Sequence, residues 1–190
     1  MSLLEIAGVA ISFLGIWLTA KRRMLCWPIN FLACALYFKL FLDVRLYADM
    51  ALQALFGAAI LYGWFQWAQG RNDVGEVAVE PLRPARAWTG LAIGAVGAAV
   101  IGWGTSRYTD AALPWMDSGL SSFSLVAQYW TARRHAASWL LWIAVDILYV
   151  GMFLFKELWL TAGLYAAMIM LAIVGYRRWR QAKATLSEAA

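Results

Sequence analysis

The sequence predicts an all-α integral membrane protein with seven transmembrane helices. Of its 190 residues, 63% are hydrophobic and 14% are charged, and the mean hydropathy is +0.63. Soluble domains are usually about 45–50% apolar and about 25% charged. The chain also carries 12 Trp, 8 Tyr and 9 Phe residues, which suit the interface of a bilayer. This composition excludes a disordered chain, a disulfide-built secreted domain and a nucleic-acid-binding domain.

Each predicted helix is a continuous apolar run of about 20 residues, the length that crosses a bilayer. Short polar turns separate the runs, and only the linker 69–86 is long. The positive cluster Lys21-Arg22-Arg23 follows the first run instead of preceding it, so we expect a retained helix and not a signal peptide. The predicted helices are Leu3–Ala20, Met24–Phe41, Leu46–Ala68, Ala87–Gly104, Met116–Thr131, Ala137–Phe155 and Leu158–Tyr176.

The distribution of Lys and Arg predicts the orientation in the membrane. The turns after the first, third and fifth helices and the C-terminal tail together hold 12 of these residues, whereas the opposite turns hold Arg45, Arg107 and Lys156. Because positively charged loops stay in the cytoplasm, we expect the N-terminus outside and the C-terminus in the cytoplasm. The net charge of +5 then faces anionic membrane lipid and the cytoplasm.

The chain contains an internal repeat, since residues 8–67 align with residues 120–179 at a constant offset of 112. Four predicted crossings separate the two starts, so both copies enter the bilayer from the same side. Parallel repeats predict a transporter with a 3+1+3 helix arrangement, as in SWEET carriers, and a site near the midplane between the copies. The identical pairs include Trp27 and Trp139, Gly63 and Gly175, and Trp67 and Trp179.

The repeat divides the chain into five parts. They are the first three-helix repeat (1–68), a cytoplasmic linker (69–86), the linking fourth helix with an outer loop (87–114), the second three-helix repeat (115–180) and a cytoplasmic tail (181–190).

Polar side chains inside a bilayer are costly and usually face the interior of a helix bundle. An aspartate at mid-membrane, such as Asp146, costs on the order of 2.5–3.5 kcal/mol, so a cationic substrate, a proton or a buried partner must offset it. Amides and aromatic faces on the neighbouring helices favour a flat, hydroxylated or cationic solute. The candidate substrate-binding residues are Asn30, Tyr37, Gln53, Trp64, Gln128, Trp139, Trp142, Asp146 and Tyr149.

Aromatic and polar residues of the predicted helices also have structural interpretations, which the sequence leaves open. Tryptophans near helix ends are equally typical of an aromatic belt at the bilayer surface; these are Trp27, Trp67, Trp139 and Trp179. Deeper residues are also typical of core packing or of hydrogen bonds between helices; these are Gln53, Gln128, Trp142, Asp146 and Tyr149. His135 lies in a basic turn, and we expect it to be solvated.

Six short motifs follow one another along the chain. They are Trp27-Pro28-x-Asn30, Leu46-Tyr47-Ala48-Asp49-x-x-Leu52-Gln53, Leu61-Tyr62-Gly63-Trp64-x-Gln66-Trp67, Trp139-Leu140-Leu141-Trp142-x-x-x-Asp146, Leu160-Thr161-Ala162-x-Leu164-Tyr165 and Gly175-Tyr176-Arg177-x-Trp179. With these motifs the sequence resembles the PnuC-type nicotinamide riboside (nicotinamide mononucleotide) transporter family. The resemblance covers almost the whole chain except the region 69–114.

The resemblance implies an inner-membrane carrier of a vitamin-type solute, first of all nicotinamide riboside, by facilitated diffusion with alternating access. A cytoplasmic kinase would then trap the imported solute, and a homo-oligomer is left open. Family members often carry Asn where this chain has Ser138, so thiamine, riboflavin and deoxynucleosides stay as alternatives, as does proton coupling through Asp146. The resemblance implies solute recognition by Asn30, Gln53, Gln128, Trp139 and Trp142.

Other classes of protein fit the sequence less well. It lacks a Gly-x-x-x-x-Gly-Lys motif for ATP, and the last predicted helix has no lysine for a retinal Schiff base. One His and two Cys do not suit a zinc site. We therefore expect no enzyme activity, no cofactor and no metal. A channel or scaffold subunit would differ from a carrier by lacking saturable binding of a small solute.

Overall fold

The computed structural model describes residues 3–43, 47–70, 77–109, 113–155, 157 and 159–188. Across these residues the chain forms seven α-helices, so the predicted all-helical fold is confirmed. The helices are α1 (Leu3–Ala20), α2 (Cys26–Asp43), α3 (Tyr47–Gln69), α4 (Pro84–Tyr108), α5 (Pro114–Ala132), α6 (Ala137–Phe155) and α7 (Trp159–Glu188).

Within the described ranges, three helices are long and apolar enough to cross a membrane by length and composition. They are α4, α6 and the part of α7 from Trp159 to Ala182. Shorter apolar stretches occupy α1 and α2, at Ala7–Ala20 and Cys26–Leu40. In α4 only 11% of the apolar window is buried, which fits a helix whose surface faces acyl chains.

Some helices begin or end at other residues than predicted, because a helix can continue after its sequence changes from apolar to polar. The predicted seventh helix ends at Tyr176, but α7 continues to Glu188, because Arg, Gln, Ala and Lys favour a helix in water as well. The fourth begins at Pro84, since proline suits a first helical turn. The predicted starts at Leu46 and Leu158 lie outside the described residues.

The helices pack as two groups, which we call the first trio (α1–α3) and the second trio (α5–α7). Within each trio, consecutive helices are neighbours. Between them, α3 packs against α5 and α7 packs against α1. The third helix of each trio therefore contacts the first helix of the other. Among the described residues, α4 packs against α5 alone.

Glycine allows α4 to approach α5 closely. The Ser122 hydroxyl donates a hydrogen bond to the Gly94 carbonyl at 2.9 Å. A Cβ at Gly94 would lie 2.8 Å from the Phe123 ring, closer than real Cβ contacts. Small residues bring membrane helices together in this way, because backbone contact replaces side-chain bulk.

The turns after α1 and α5 have the same unusual backbone. Arg22 has a φ of 55° and Arg134 a φ of 63°, the left-handed conformation that non-glycine residues rarely adopt. The two positions are 112 residues apart, so the turns occupy equivalent places in the two trios. We call the end of the bundle that carries these turns the basic end.

Part of the linker 69–86 is buried at the basic end. Val77 and Val79 are 2% and 6% exposed and belong to the main apolar core. His135 is 3% exposed, so the expectation that it is solvated is wrong. Its Nδ1 lies 3.1 Å from the Glu80 carbonyl oxygen, and burial lowers the pKa of its imidazole. The physical reason is the neighbouring linker, which covers the turn.

Candidate functional site

A cluster of four tryptophans lies where the two trios meet at the basic end. All four side chains are at most 3% exposed, so the interpretation as an aromatic belt facing lipid is wrong. Three ring contacts link the four indoles, and the contact between Trp67 and Trp179 joins the two trios. Ring centroids are 5.1 Å apart for Trp27 and Trp67, 5.6 Å for Trp139 and Trp179, and 5.8 Å for Trp67 and Trp179.

Two indole N–H groups of this tryptophan cluster form hydrogen bonds that cross between the trios. Trp67 Nε1 donates to the Thr131 carbonyl at 3.1 Å, and Trp179 Nε1 donates to the Thr19 carbonyl at 3.2 Å. Donors and acceptors are equivalent positions of the repeat. The pair therefore joins α3 to α5 and α7 to α1 in the same manner.

Glycine provides the space that the other two tryptophans occupy. A Cβ at Gly63 would overlap the Trp27 ring, and a Cβ at Gly175 would overlap the Trp139 ring. These contacts are again equivalent in the two trios. They explain why glycine, and no larger residue, occurs at this position of both copies.

Asn30 and Trp142 occupy equivalent positions beside the tryptophan cluster. Asn30 Nδ2 donates to the Thr19 hydroxyl, and Trp142 Nε1 donates to the Thr131 hydroxyl, both at 3.4 Å. These weak, long bonds hold one amide and one indole against the first helix of each trio. Both side chains are half-buried.

Three buried polar atoms near this point have no hydrogen-bond partner among the described residues. They are Trp27 Nε1, Trp139 Nε1 and Ser138 Oγ. Buried polar groups are normally paired, so these atoms can bind a polar solute or water. Trp27 was absent from the candidates that the sequence suggested. Its alignment with Trp139 in the repeat was the signal that could have identified it.

Further along α6, a carboxylate and an aromatic group share the interior. Asp146 is 6% exposed and lies about 10 Å along the helix from Trp139, given its rise of 1.5 Å per residue. Beyond it, the Tyr149 ring contacts Tyr165 at 4.6 Å and Phe153 at 5.9 Å between centroids. In the described part of the chain, Asp146 forms neither an ion pair nor a hydrogen bond with another side chain.

The remaining candidates are less closely grouped. Tyr37 packs α2 against α1, with its ring 3.1 Å from where a Cβ of Gly8 would stand. Gln53 and Gln128 are half-buried. Trp64 is 39% exposed, on the outside of the first trio. The structure thus brings Trp139 and Trp142 together, places Asn30 at the equivalent position of the first trio, continues along α6 to Asp146 and Tyr149, and leaves Trp64 apart.

Two surface clefts of about 470 Å³ each open at the basic end. One is lined by the turn from Ala20 to Arg23 and by Arg178. The other is lined by α6 and α7 around Tyr176 and Arg180. None of the predicted site residues lines either cleft. They are distinct from the midplane chamber that the sequence predicts, which stays a prediction.

The sequence model for "Nicotinamide mononucleotide transporter" matches residues 2–181, nearly the whole chain. The chain belongs to the nicotinamide mononucleotide transporter family. As a member of this family it is a multi-pass membrane transporter and not an enzyme.

Individual relatives agree with this membership. The nicotinamide riboside transporter PnuC of Escherichia coli is 23% identical over 94% of this chain and 85% of the relative. The riboflavin/roseoflavin transporter RibM of Streptomyces davaonensis is 26% identical over 92% of this chain and 83% of the relative. The crystal structure of the vitamin B3 transporter PnuC has the same fold, with a TM-score of 0.77 at 22% identity over 97% of this chain and 83% of that one.

Proposed function

We propose that this family member carries nicotinamide riboside across the cell inner membrane by facilitated diffusion. The observation that carries the proposal is the pair of indoles Trp139 and Trp142 beside unpaired buried donors, with the carboxylate of Asp146 on the same helix and Asn30 at the equivalent position of the first trio. Flat aromatic faces suit a pyridinium ring, an amide suits a carboxamide or ribose hydroxyl, and a carboxylate offsets the cation's charge.

The helices are organised in this proposal as a 3+1+3 parallel repeat, as in SWEET carriers, with α4 as the linking helix. The support is the set of equivalent contacts 112 residues apart. It includes the two indole hydrogen bonds between the trios, the two glycine–tryptophan contacts and the two arginines with left-handed backbone conformation. Alternating access would follow if the two trios rock relative to each other.

The solute would stack on Trp139 or Trp142 and be hydrogen-bonded by Asn30, Gln53 and Gln128. Tyr37 and Tyr149 would complete the lining as the trios move. The orientation follows the charge of the loops, with the N-terminus outside and the C-terminus in the cytoplasm. There a kinase would phosphorylate the solute and hold uptake one-way. A homo-oligomer would place the exposed apolar faces of neighbouring copies together.

A second candidate solute is riboflavin, favoured by the likeness to RibM at 26% identity. Riboflavin is flat and hydroxylated but uncharged, so it would use the tryptophans and amides without Asp146. Thiamine and deoxynucleosides are further alternatives within the family. The isolated, buried Asp146 also makes proton-coupled transport the alternative to simple facilitation.

Calorimetry on the purified protein tests the choice of solute. We expect saturable binding of nicotinamide riboside and weaker binding of thiamine, riboflavin and nucleosides. Trp142→Phe should weaken binding at least tenfold with the fold intact, whereas Trp88→Phe, a control at 72% exposure on α4, should change neither binding nor fold. Binding of riboflavin but not of nicotinamide riboside would contradict the first choice of solute. Unchanged binding by Trp142→Phe would show that the binding site does not include Trp142.

Uptake into proteoliposomes tests the mechanism. Facilitated diffusion predicts uptake that follows the solute gradient and does not respond to an imposed pH gradient. Strong dependence on the pH gradient, abolished by Asp146→Asn, would replace facilitation by proton coupling.

A further inference from the structure

A four-residue segment of the linker, Val77–Glu80, lies across the basic end, and we call it the strap. Its side chains alternate in the manner of a strand: Val77 and Val79 are buried, whereas Ala78 and Glu80 are half-exposed. The two valines pack in the same core as the tryptophan cluster. The strap therefore covers the point where the trios meet.

One arginine from each trio binds the strap. Arg22, after α1, donates through Nη1 to the Val77 carbonyl at 3.2 Å. Arg134, after α5, forms an ion pair with the Glu80 carboxylate and donates to the Gly70 carbonyl at 3.2 Å. These two arginines are the equivalent residues with left-handed backbones. One end of the strap is thus held by the first trio and the other by the second.

Backbone contacts add to the attachment at the second trio. Glu80 N donates to the Arg134 carbonyl at 2.9 Å, and Glu80 pairs with His135 as a parallel β-bridge. Since a carbonyl oxygen only accepts, the His135 contact to Glu80 O uses the Nδ1–H tautomer. The strap is consequently a bound element and not a passive connection between helices.

We infer that the strap is a gate, which closes the basic end of the pathway between the trios and must detach from the second trio for solute to pass there. The reason is mechanical: a segment bound to both trios at one end prevents them from separating at that end. When the trios rock, the strap stays bound to Arg22, and the Arg134 and Glu80 contacts must break. The inference rests on the proposed function as a carrier.

A reversible cross-link tests the gate. In a Cys26→Ser, Cys34→Ala background, Glu80→Cys and His135→Cys put two thiols at a β-bridge pair, which lies within the range of a disulfide. The serine already occurs at the position equivalent to Cys26. Oxidation should reduce nicotinamide riboside uptake by proteoliposomes at least tenfold, with binding unchanged, and reductant should restore uptake. The two single-cysteine proteins are the controls and should not respond to oxidant.

The outcomes separate the two proposals. If the reduced protein carries the solute and the oxidised, cross-linked protein carries it equally fast, the strap is not a gate. If the native protein neither binds nor carries any solute of the panel, the carrier function fails, and the gate falls with it.

A second measurement does not depend on the double variant. A single cysteine at Val79, buried in the closed strap, should react with a membrane-impermeant maleimide at least tenfold faster while the solute is being transported. A cysteine at the exposed Ala85 is the matched control and should react at one rate throughout. Equal labelling of Val79→Cys with and without transport would overturn the inference.

Discussion

Replacing Trp179 by Phe should destabilise the bundle through one identified interaction. The substitution removes the hydrogen bond from Trp179 Nε1 to the Thr19 carbonyl. That carbonyl then accepts only the bond from Arg22 N, at 3.0 Å. Losing one buried hydrogen bond costs about 1 kcal/mol. The smaller ring leaves a void in a site that is 1% exposed, which adds about 1 kcal/mol. We therefore expect a loss of about 2 kcal/mol, or roughly 4–8 °C in melting temperature for a chain of this size.

The repeat supplies a matched comparison for this prediction. Trp67→Phe removes the equivalent bond to Thr131, so its melting temperature should fall by the same amount, followed by circular dichroism in detergent. Trp88→Phe, on the exposed face of α4, should lie within about 0.5 kcal/mol of the native protein. Native-like melting of Trp179→Phe, or an equal loss in Trp88→Phe, would refute the crossed-bond argument.

Three further predictions follow from particular contacts. Gly175→Ala should lower the free energy of unfolding by about 1–3 kcal/mol and with it the melting temperature, because its Cβ overlaps the Trp139 ring. Gly163→Ala, with open space around it, should not lower either quantity. Burial lowers the pKa of His135 below its ordinary value of 6.5, so the folded state resists protonation of this side chain. Its contribution to stability is therefore full above pH 6.5 and falls below it. His135→Gln should flatten the dependence of the melting temperature on pH between pH 7.5 and pH 5. Asp146→Asn should weaken calorimetric binding of cationic nicotinamide riboside at least tenfold and leave neutral riboflavin unaffected; equal effects on both solutes would count against a charge role.

The repeat offset, visible in the sequence, identified which residues are equivalent before any contact was known. It aligned Trp67 with Trp179 and Thr19 with Thr131. It did not indicate that each indole would donate to the other trio's threonine. An alignment compares the copies but contains no information about how they dock, so partners across the interface could not be derived from it.

Hydropathy also could not distinguish the environments of the tryptophans. Lipid and protein interior are both apolar, so a tryptophan near a helix end is compatible with either. The decisive facts were three-dimensional: Trp27 and Trp139 fill spaces that Gly63 and Gly175 leave. Trp64, in contrast, lies on the exposed surface of the bundle.

The sequence by itself determined the helical, membrane-embedded character of this protein, because a backbone in lipid must satisfy its hydrogen bonds within each segment and long apolar runs do so only as helices. Tertiary structure alone decided which faces point inward and which loop is buried. His135 and the strap illustrate the reason. The four residues of the strap are too few for their sequence pattern to predict burial. They are held in place by Arg22 and Arg134, which lie 55 and 54 residues away in the chain from their partners Val77 and Glu80.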